Sequence, residues 1–395
     1  MLRAGDAVAS ICTVLVAVPM SKIVRELKNY YAVIADLASE AESWSSRPAW
    51  LEFAPNNVCN LRCIMCQQAD GLPVEVMKKE DAVKLLDEVL PTTTLWTPSA
   101  LSEPMLANIR LVVDKCRQHE VFLNMYSNCT LLDGDKFAAM ADRIHKLWIS
   151  FDSQEKPVLE MLRAGADFDR VVANIRGILA VAAQRQIPVG FVAVLVKDNV
   201  ESIHGLVDFL ADLGAVDAHA DLRVQPMLDN AVRCRDQNVF AAFGQAHIEA
   251  CLDRACRRAE ARGLNFHVDF DAPYRRNVVC QAPFTRAITA DVLSVMVDEI
   301  KERFPHFCSM ATNYVKIEPS GAVFPCCRGP RELEMGNVHQ QSLEQIWNGD
   351  KYRAFRRRMH ARDYPDVCRG CDVLTANPHF DKASLVRQPA GPAAS

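Results

Sequence analysis

The densest concentration of potential chemistry is Cys59-Asn60-Leu61-Arg62-Cys63-Ile64-Met65-Cys66, three cysteines within eight residues at C-x3-C-x2-C spacing. Thiolates are soft donors suited to iron–sulfur clusters or zinc, and a tight loop can aim three sulfurs at three corners of a cubane. A closed structural zinc site wants a fourth Cys or His close by. The next downstream candidates are Cys116, on a predicted helix, and His119. A cluster held by three protein thiolates keeps one iron open for a substrate or cofactor, which is a catalytic arrangement.

A second group lies near the other end. Cys308 precedes a β-rich run (Asn313 to Glu318), the turn Pro319-Ser320-Gly321 and a second β-rich run (Ala322 to Cys327). A hairpin folds these runs together and brings Cys308 toward Cys326. Cys368-Arg369-Gly370-Cys371 adds a C-x2-C unit, so four thiolates from two separated pairs make a closed site. Cys280 and Cys327 compete as ligands, and Cys280 is also a candidate thiol hydrogen donor. Cys12, Cys116, Cys129, Cys234, Cys251 and Cys256 read as ordinary thiols.

Short β-rich runs alternating with helix-period runs must position these groups, the signature of parallel βα units. Strands are predicted at Trp50 to Ala54, Thr93 to Thr97, Val121 to Tyr126, Leu147 to Phe151, Val189 to Val196 and Leu222 to Pro226. Helices are predicted at Lys78 to Leu90, Ala107 to His119, Gly134 to Ala141, Val158 to Arg185 with a break at Gly165, and Val200 to Leu213. Six units predict an open, partial α/β barrel. One more helix (Asn238 to Arg262), a strand near Phe266 to Val268 and an irregular stretch follow. The expected organisation is an N-terminal extension (1–49), a barrel (50–237), a helical bridging region (238–307), a cluster domain (308–380) and a disordered tail (381–395). The apolar run Ala7 to Met20 reads as a weak signal peptide or, because an oxygen-sensitive site would not survive export, as a misassigned start with the chain beginning at Met20.

At its first cysteine group the sequence resembles the radical S-adenosylmethionine superfamily, whose motif is this C-x3-C-x2-C after the first strand of a partial (β/α)6 TIM-like barrel. The resemblance implies a four-iron four-sulfur cluster on Cys59, Cys63 and Cys66, an open iron that chelates S-adenosylmethionine, and reductive cleavage to a 5′-deoxyadenosyl radical. It also implies a reductant such as flavodoxin or ferredoxin. Ser102-Glu103-Pro104 stands where the family has Gly-Glu-Pro, which binds the methionine amino group; Ala100 and Ser102 replace glycines. Ser127-Asn128 takes the Thr-Asn-Gly place with Cys129 for glycine, and Ser150-Phe151-Asp152 resembles the strand end that contacts the ribose. Met65, where relatives carry an aromatic beside the adenine, reads as packing. The C-terminal region is similar to the SPASM and Twitch extensions: Cys308-x12-Gly321-x4-Cys326 matches their opening motif, and Gly336-Asn337-Val338 through Trp347 resembles their connecting segment. No cysteine follows Cys371, which argues for one auxiliary four-iron four-sulfur cluster on Cys308, Cys326, Cys368 and Cys371.

Composition narrows the partners. With 45 basic and 49 acidic residues, the net charge of -4 supplies no positive field for nucleic acid or anionic lipid. Fifteen cysteines, several of them in close groups, point to metal in a reducing cytoplasm rather than to a secreted scaffold. The basic run Lys351 to Arg362 reads as a solvated helix face. No dinucleotide fingerprint, phosphate loop or cobalamin motif occurs. The leading expectation is a radical enzyme acting by oxidation or epimerisation on a small molecule such as a sugar or aminocyclitol. A peptide-modifying maturase is the alternative substrate class, and a non-catalytic iron–sulfur or zinc protein for electron transfer or assembly is the alternative function.

Overall fold

The computed structural model describes residues 20–99, 101–227, 236–270, 273–281, 288–375 and 377–382. Residues 1–19, with the start-site question, and nearly all of the 381–395 tail lie outside that set.

All six expected strands form: β1 (Trp50–Phe53), β2 (Leu95–Thr97), β3 (Phe122–Ser127), β4 (Ile144–Ser150), β5 (Val189–Leu195) and β6 (Asp221–Pro226). Each pairs in parallel with the next. The helices between them are α2 (Lys79–Val89), α3 (Ile109–His119), α4 (Gly134–Met140), α5 (Lys156–Leu162), α6 (Phe168–Arg185) and α7 (Ile203–Leu213), with α1 (Met20–Ala38) ahead of β1. The break expected at Gly165 separates α5 from α6, and Gly165 has φ +97°, a conformation that costs glycine nothing. Alternation along the strands sorts the two sheet faces. Leu51, Phe53, Leu123, Leu147, Ile149, Phe191 and Leu222 are wholly buried in one core with helix residues such as Leu86, Val112, Ile175 and Leu206. Trp50, Glu52, Tyr126, Lys146, Trp148 and Arg223 share the opposite, inner face. There Trp148 lies against Gly190, where a Cβ would stand 2.4 Å from the indole.

The sheet runs further than six strands, in the order β11-β10-β9-β1-β2-β3-β4-β5-β6-β7-β8. β7 (Asn265–Val268) is parallel to β6, and β8 (Arg276–Val278) returns antiparallel to it. At the other edge β9 (Tyr314–Ile317) pairs in parallel with β1 and turns into β10 (Ala322–Phe324) and β11 (Gly336–Asn337). The segment expected as a cluster domain therefore continues the barrel sheet. Two expectations need correction. The single helix over 238–262 is a turn at Val239–Ala242 and then α8 (Gln245–Arg262), because Phe243 is extended and Gly244 caps the second helix. The stretch read as irregular, through Pro273 and Pro283, holds β8, which is only three residues long and exists through its pairing with β7; α9 (Ile288–Arg303) follows it in the expected helical bridging region.

Candidate active site and auxiliary cysteine site

The cysteine loop leaves β1 at its C-terminal end and is tied down from three sides. Arg62 N–H donates to Ala164 O (2.9 Å) and Ile64 N–H to Leu162 O (3.0 Å), both at the end of α5. Asn60 Nδ2 donates to Thr130 Oγ1 (2.8 Å) after β3, and Gln68 Nε2 reaches Asn57 O (2.6 Å) and Leu101 O (2.8 Å). Leu61 is the buried anchor between the first two cysteines. Cys59, Cys63 and Cys66 then open onto a cavity of about 250 Å³ that is also lined by Met65, Ser102, Glu103, Tyr126, Ser127, Asn128, Ser150 and Arg163. All but Arg163, which caps α5, come from the C-terminal ends of β1 to β4 and the loops that follow them, where barrel active sites assemble. Met65, read from sequence as packing, stands on the cavity wall.

Glu103 is held rigidly. Its carboxylate accepts Ser127 Oγ–H at 2.8 Å and Asn128 N–H at 2.9 Å, and its own N–H donates to Val58 O at 3.0 Å in the cysteine loop. Burial pushes its pKa up, against those hydrogen bonds. Asn128 Oδ1 accepts from Thr130 N–H (2.9 Å) and Oγ–H (2.6 Å), which turns the amide nitrogen toward Asn60 Oδ1 (3.2 Å) and the Cys59 sulfur (3.9 Å). Cys129 has φ +55°, so the left-handed conformation is kept without the glycine; its buried thiol is pushed far above the ordinary range. Leu101 is left-handed too, and its neighbour Ala100 lies outside the described residues.

Asp152 does not line the cavity. One carboxylate oxygen accepts Val194 N–H (2.8 Å) and the other pairs with Arg163 Nε (2.7 Å), both groups being buried. Arg163, which the sequence did not single out, stands on the cavity wall with Nη1 3.9 Å from the Cys63 sulfur. Asp152 thus orients the cation that faces the thiols. Burial pushes the Cys63 thiol up and Arg163 opposes it. Nothing in the spacing announced Arg163; only its place just before the Gly165 break set it near the loop.

Cys308, Cys326, Cys368 and Cys371 line one small cavity with Cys327, Phe355, Leu333 and Leu374. The hairpin closes with Gly321 at φ +85° and its N–H donating to Glu318 O (2.8 Å), and Cys371 N–H donates to Cys368 O (3.2 Å). Burial pushes the thiols of Cys308, Cys327 and Cys368 up to about 12. Cys280 joins neither group. It follows β8 at the opposite edge of the sheet, where its N–H donates to Asn265 Oδ1 (2.8 Å) at the N-terminal end of β7. Cys116, Cys129 and Cys251 are buried, as ordinary thiols are, while Cys12 and Cys234 lie outside the described residues.

Both sites fit iron–sulfur clusters. The thiols of each group line a cavity. Soft donors around a volume suit a cluster bridged by inorganic sulfide better than one zinc. Among the described residues no helix is long and apolar enough to cross a membrane.

Residues 308–372 match the SPASM iron-sulfur cluster-binding domain. The chain is 29% identical over 71 residues to an S-adenosyl-L-methionine-dependent 2-deoxy-scyllo-inosamine dehydrogenase of Niallia circulans, a match that spans 17% of this chain and only 28% of that protein. It is 22% identical over 323 residues to a PqqA peptide cyclase of Xanthomonas campestris pv. campestris, covering 79% of this chain and 76% of the relative. In fold it resembles Streptococcus suis SuiB bound to S-adenosylmethionine, with a TM-score of 0.58 at 17% identity, covering 88% of this chain and 76% of that one. The SPASM match makes an iron–sulfur cluster the group that the second cysteine site takes. The chain therefore carries a SPASM iron-sulfur cluster-binding domain over residues 308–372 and shares the fold of Streptococcus suis SuiB.

Proposed function

We propose that the chain is a radical enzyme that activates a C–H bond of a small polar molecule, a sugar or aminocyclitol, toward oxidation or epimerisation. The observation that supports it is the cavity at the C-terminal strand ends, where three thiols, Glu103 and Asn128 converge. Cys59, Cys63 and Cys66 would hold the first cluster and Cys308, Cys326, Cys368 and Cys371 the auxiliary one. When bound, the first cluster and S-adenosylmethionine supply a reductively generated 5′-deoxyadenosyl radical. The chain's own side chains do the positioning. Glu103 presents a fixed acceptor to an amino group, Ser102, Asn128 and Ser150 offer polar contacts along the wall, and Asp152 acts through Arg163, which offsets thiolate charge. The barrel at 50–237 and the cluster region at 308–380 serve as the two functional units, with a flavodoxin or ferredoxin as electron source.

A peptide substrate is the second reading, supported by the breadth of the match to the peptide cyclase. The test is anaerobic reconstitution with iron, sulfide, dithionite and S-adenosylmethionine. Release of 5′-deoxyadenosine is expected, and its loss when Cys59, Cys63 and Cys66 are replaced by Ala. A reconstituted first cluster without any release would instead support a carrier of electrons or clusters.

A further inference from the structure

The inner face of the sheet carries charges that no part of the foregoing uses. Most are matched in opposite-sign couples: Lys146 with Asp221, Arg223 Nε with Asp269 at 3.0 Å, and Lys316 Nζ with Glu318 at 3.6 Å. Glu52 differs. It sits on β1 opposite Thr97 of β2 and Lys316 of β9, and its carboxylate accepts the hydroxyl of Tyr314, a neutral partner. Among the described residues no cation lies within ion-pair distance of it.

A half-enclosed carboxylate without a cation is destabilising unless something else satisfies it. Its surroundings narrow what that is. Trp50 and Tyr314 meet edge to face beside it, with ring centroids 5.4 Å apart, and aromatic faces attract cations. One carboxylate and one phenol are too few oxygen donors for a hard metal ion. Glu52 keeps partial exposure, Tyr126 of the same face also lines the first cavity, and Cys327 of the second group lies close enough to act electrostatically on Glu52 and Tyr314.

Resting on the function proposed above, we propose that Glu52 on this inner face, held by Tyr314, anchors a protonated primary amine of the substrate. Glu52 is thereby a specificity-determining residue. The amine belongs to an amino sugar or aminocyclitol in one case and to a lysine side chain in the other.

The experiment is calorimetric titration of the reconstituted full chain with glucosamine and with an acetyl-Gly-Lys-Gly-amide peptide, each compared with its N-acetylated form. At least one amine probe binds roughly tenfold or more tightly than its acetylated form, and the probe that does so identifies the source. Glu52→Gln abolishes the preference with iron content and circular dichroism unchanged, while Glu52→Asp retains it. Absence of any amine preference in the unmodified chain, a measurement that needs no variant, overturns the proposal, as does a preference that survives in Glu52→Gln. Release of 5′-deoxyadenosine from the same preparation separates the two failures: release without amine preference removes only the Glu52 anchor, and no release removes the enzymatic reading beneath it.

Discussion

The guanidinium carbon of Arg356 lies 4.2 Å from the centroid of the Trp44 ring. This contact joins the N-terminal extension to α10 (Asp350–His360), in the middle of the basic run that reads from sequence as a solvated face. Arg356 is 1% exposed. It is also 4.7 Å from Trp347 and 5.1 Å from Tyr352, and its Nη1 donates to Glu42 O (2.9 Å) and Asn348 Oδ1 (3.1 Å). Its neighbours Arg353, Arg357 and Arg358 do face solvent, paired with Asp350, Glu42 and Asp363.

Replacing Arg356 by Ala therefore removes a desolvated cation from an aromatic cage and takes the donor from Glu42 O, while Asn348 Oδ1 keeps the Trp44 N–H at 2.8 Å. The cost is about 2 to 4 kcal/mol, read as a lower midpoint of chemical unfolding. Arg357→Ala, at an exposed pair, leaves the midpoint close to that of the parent chain.

The contrast between Arg356 and Glu103 shows what was legible. Glu103-Pro104 follows β2 and announces itself by local chemistry, as do the cysteine spacings and the Pro and Gly turn that closes the β9–β10 hairpin. Strands β1 to β6 are runs whose alternation or apolarity is visible without any partner. Arg356 and Arg163 are different in kind. Each is one arginine among many until a distant segment, Trp44 or the cysteine loop, folds against it. β8 and the β9–β1 pairing were equally hidden, because their registers depend on strands more than 200 residues apart or on a three-residue segment with no period of its own.

Glu103 tests the rigidity of the first cavity. Its two oxygens accept from Ser127 Oγ–H and Asn128 N–H, so an amide nitrogen in place of one oxygen faces a donor. Glu103→Gln is expected to cost roughly 1 to 3 kcal/mol from that mismatch, seen in thermal unfolding without added cofactor. Equilibrium dialysis with radiolabelled S-adenosylmethionine should show loss of binding in the same variant. A variant that unfolds like the parent would show that those hydrogen bonds are not held in solution.

His145 sets a pH window for stability. Burial pulls its pKa from 6.5 down to about 4, so the folded chain keeps it neutral while the unfolded chain protonates it first. A depressed folded value means that the unfolded state binds more protons between pH 6.5 and 4, and stability falls as pH drops through that interval. Above pH 6.5 the contribution is complete. His145→Gln removes this titration, and the urea midpoint of the variant should decline less steeply with acid than that of the parent over the same range.

Cys326 and Cys327 adjoin, yet the second is expected to be dispensable to the auxiliary cluster. Cys327 shares the cavity wall, but it also lies within electrostatic reach of Glu52, Tyr314 and Tyr126 on the inner face of the sheet. Cys368→Ala should lower bound iron by about four atoms per chain, because a cubane that loses one of four thiolates is not retained. It should leave 5′-deoxyadenosine release without substrate intact, since Cys59, Cys63 and Cys66 are untouched, and should stop turnover of any substrate. Cys327→Ala should keep the full iron content. Iron analysis and Mössbauer spectroscopy on both variants decide the matter. If Cys327→Ala loses the iron and Cys368→Ala retains it, the ligand set is Cys308, Cys326, Cys327 and Cys371, and the inner face loses a thiol to the cluster.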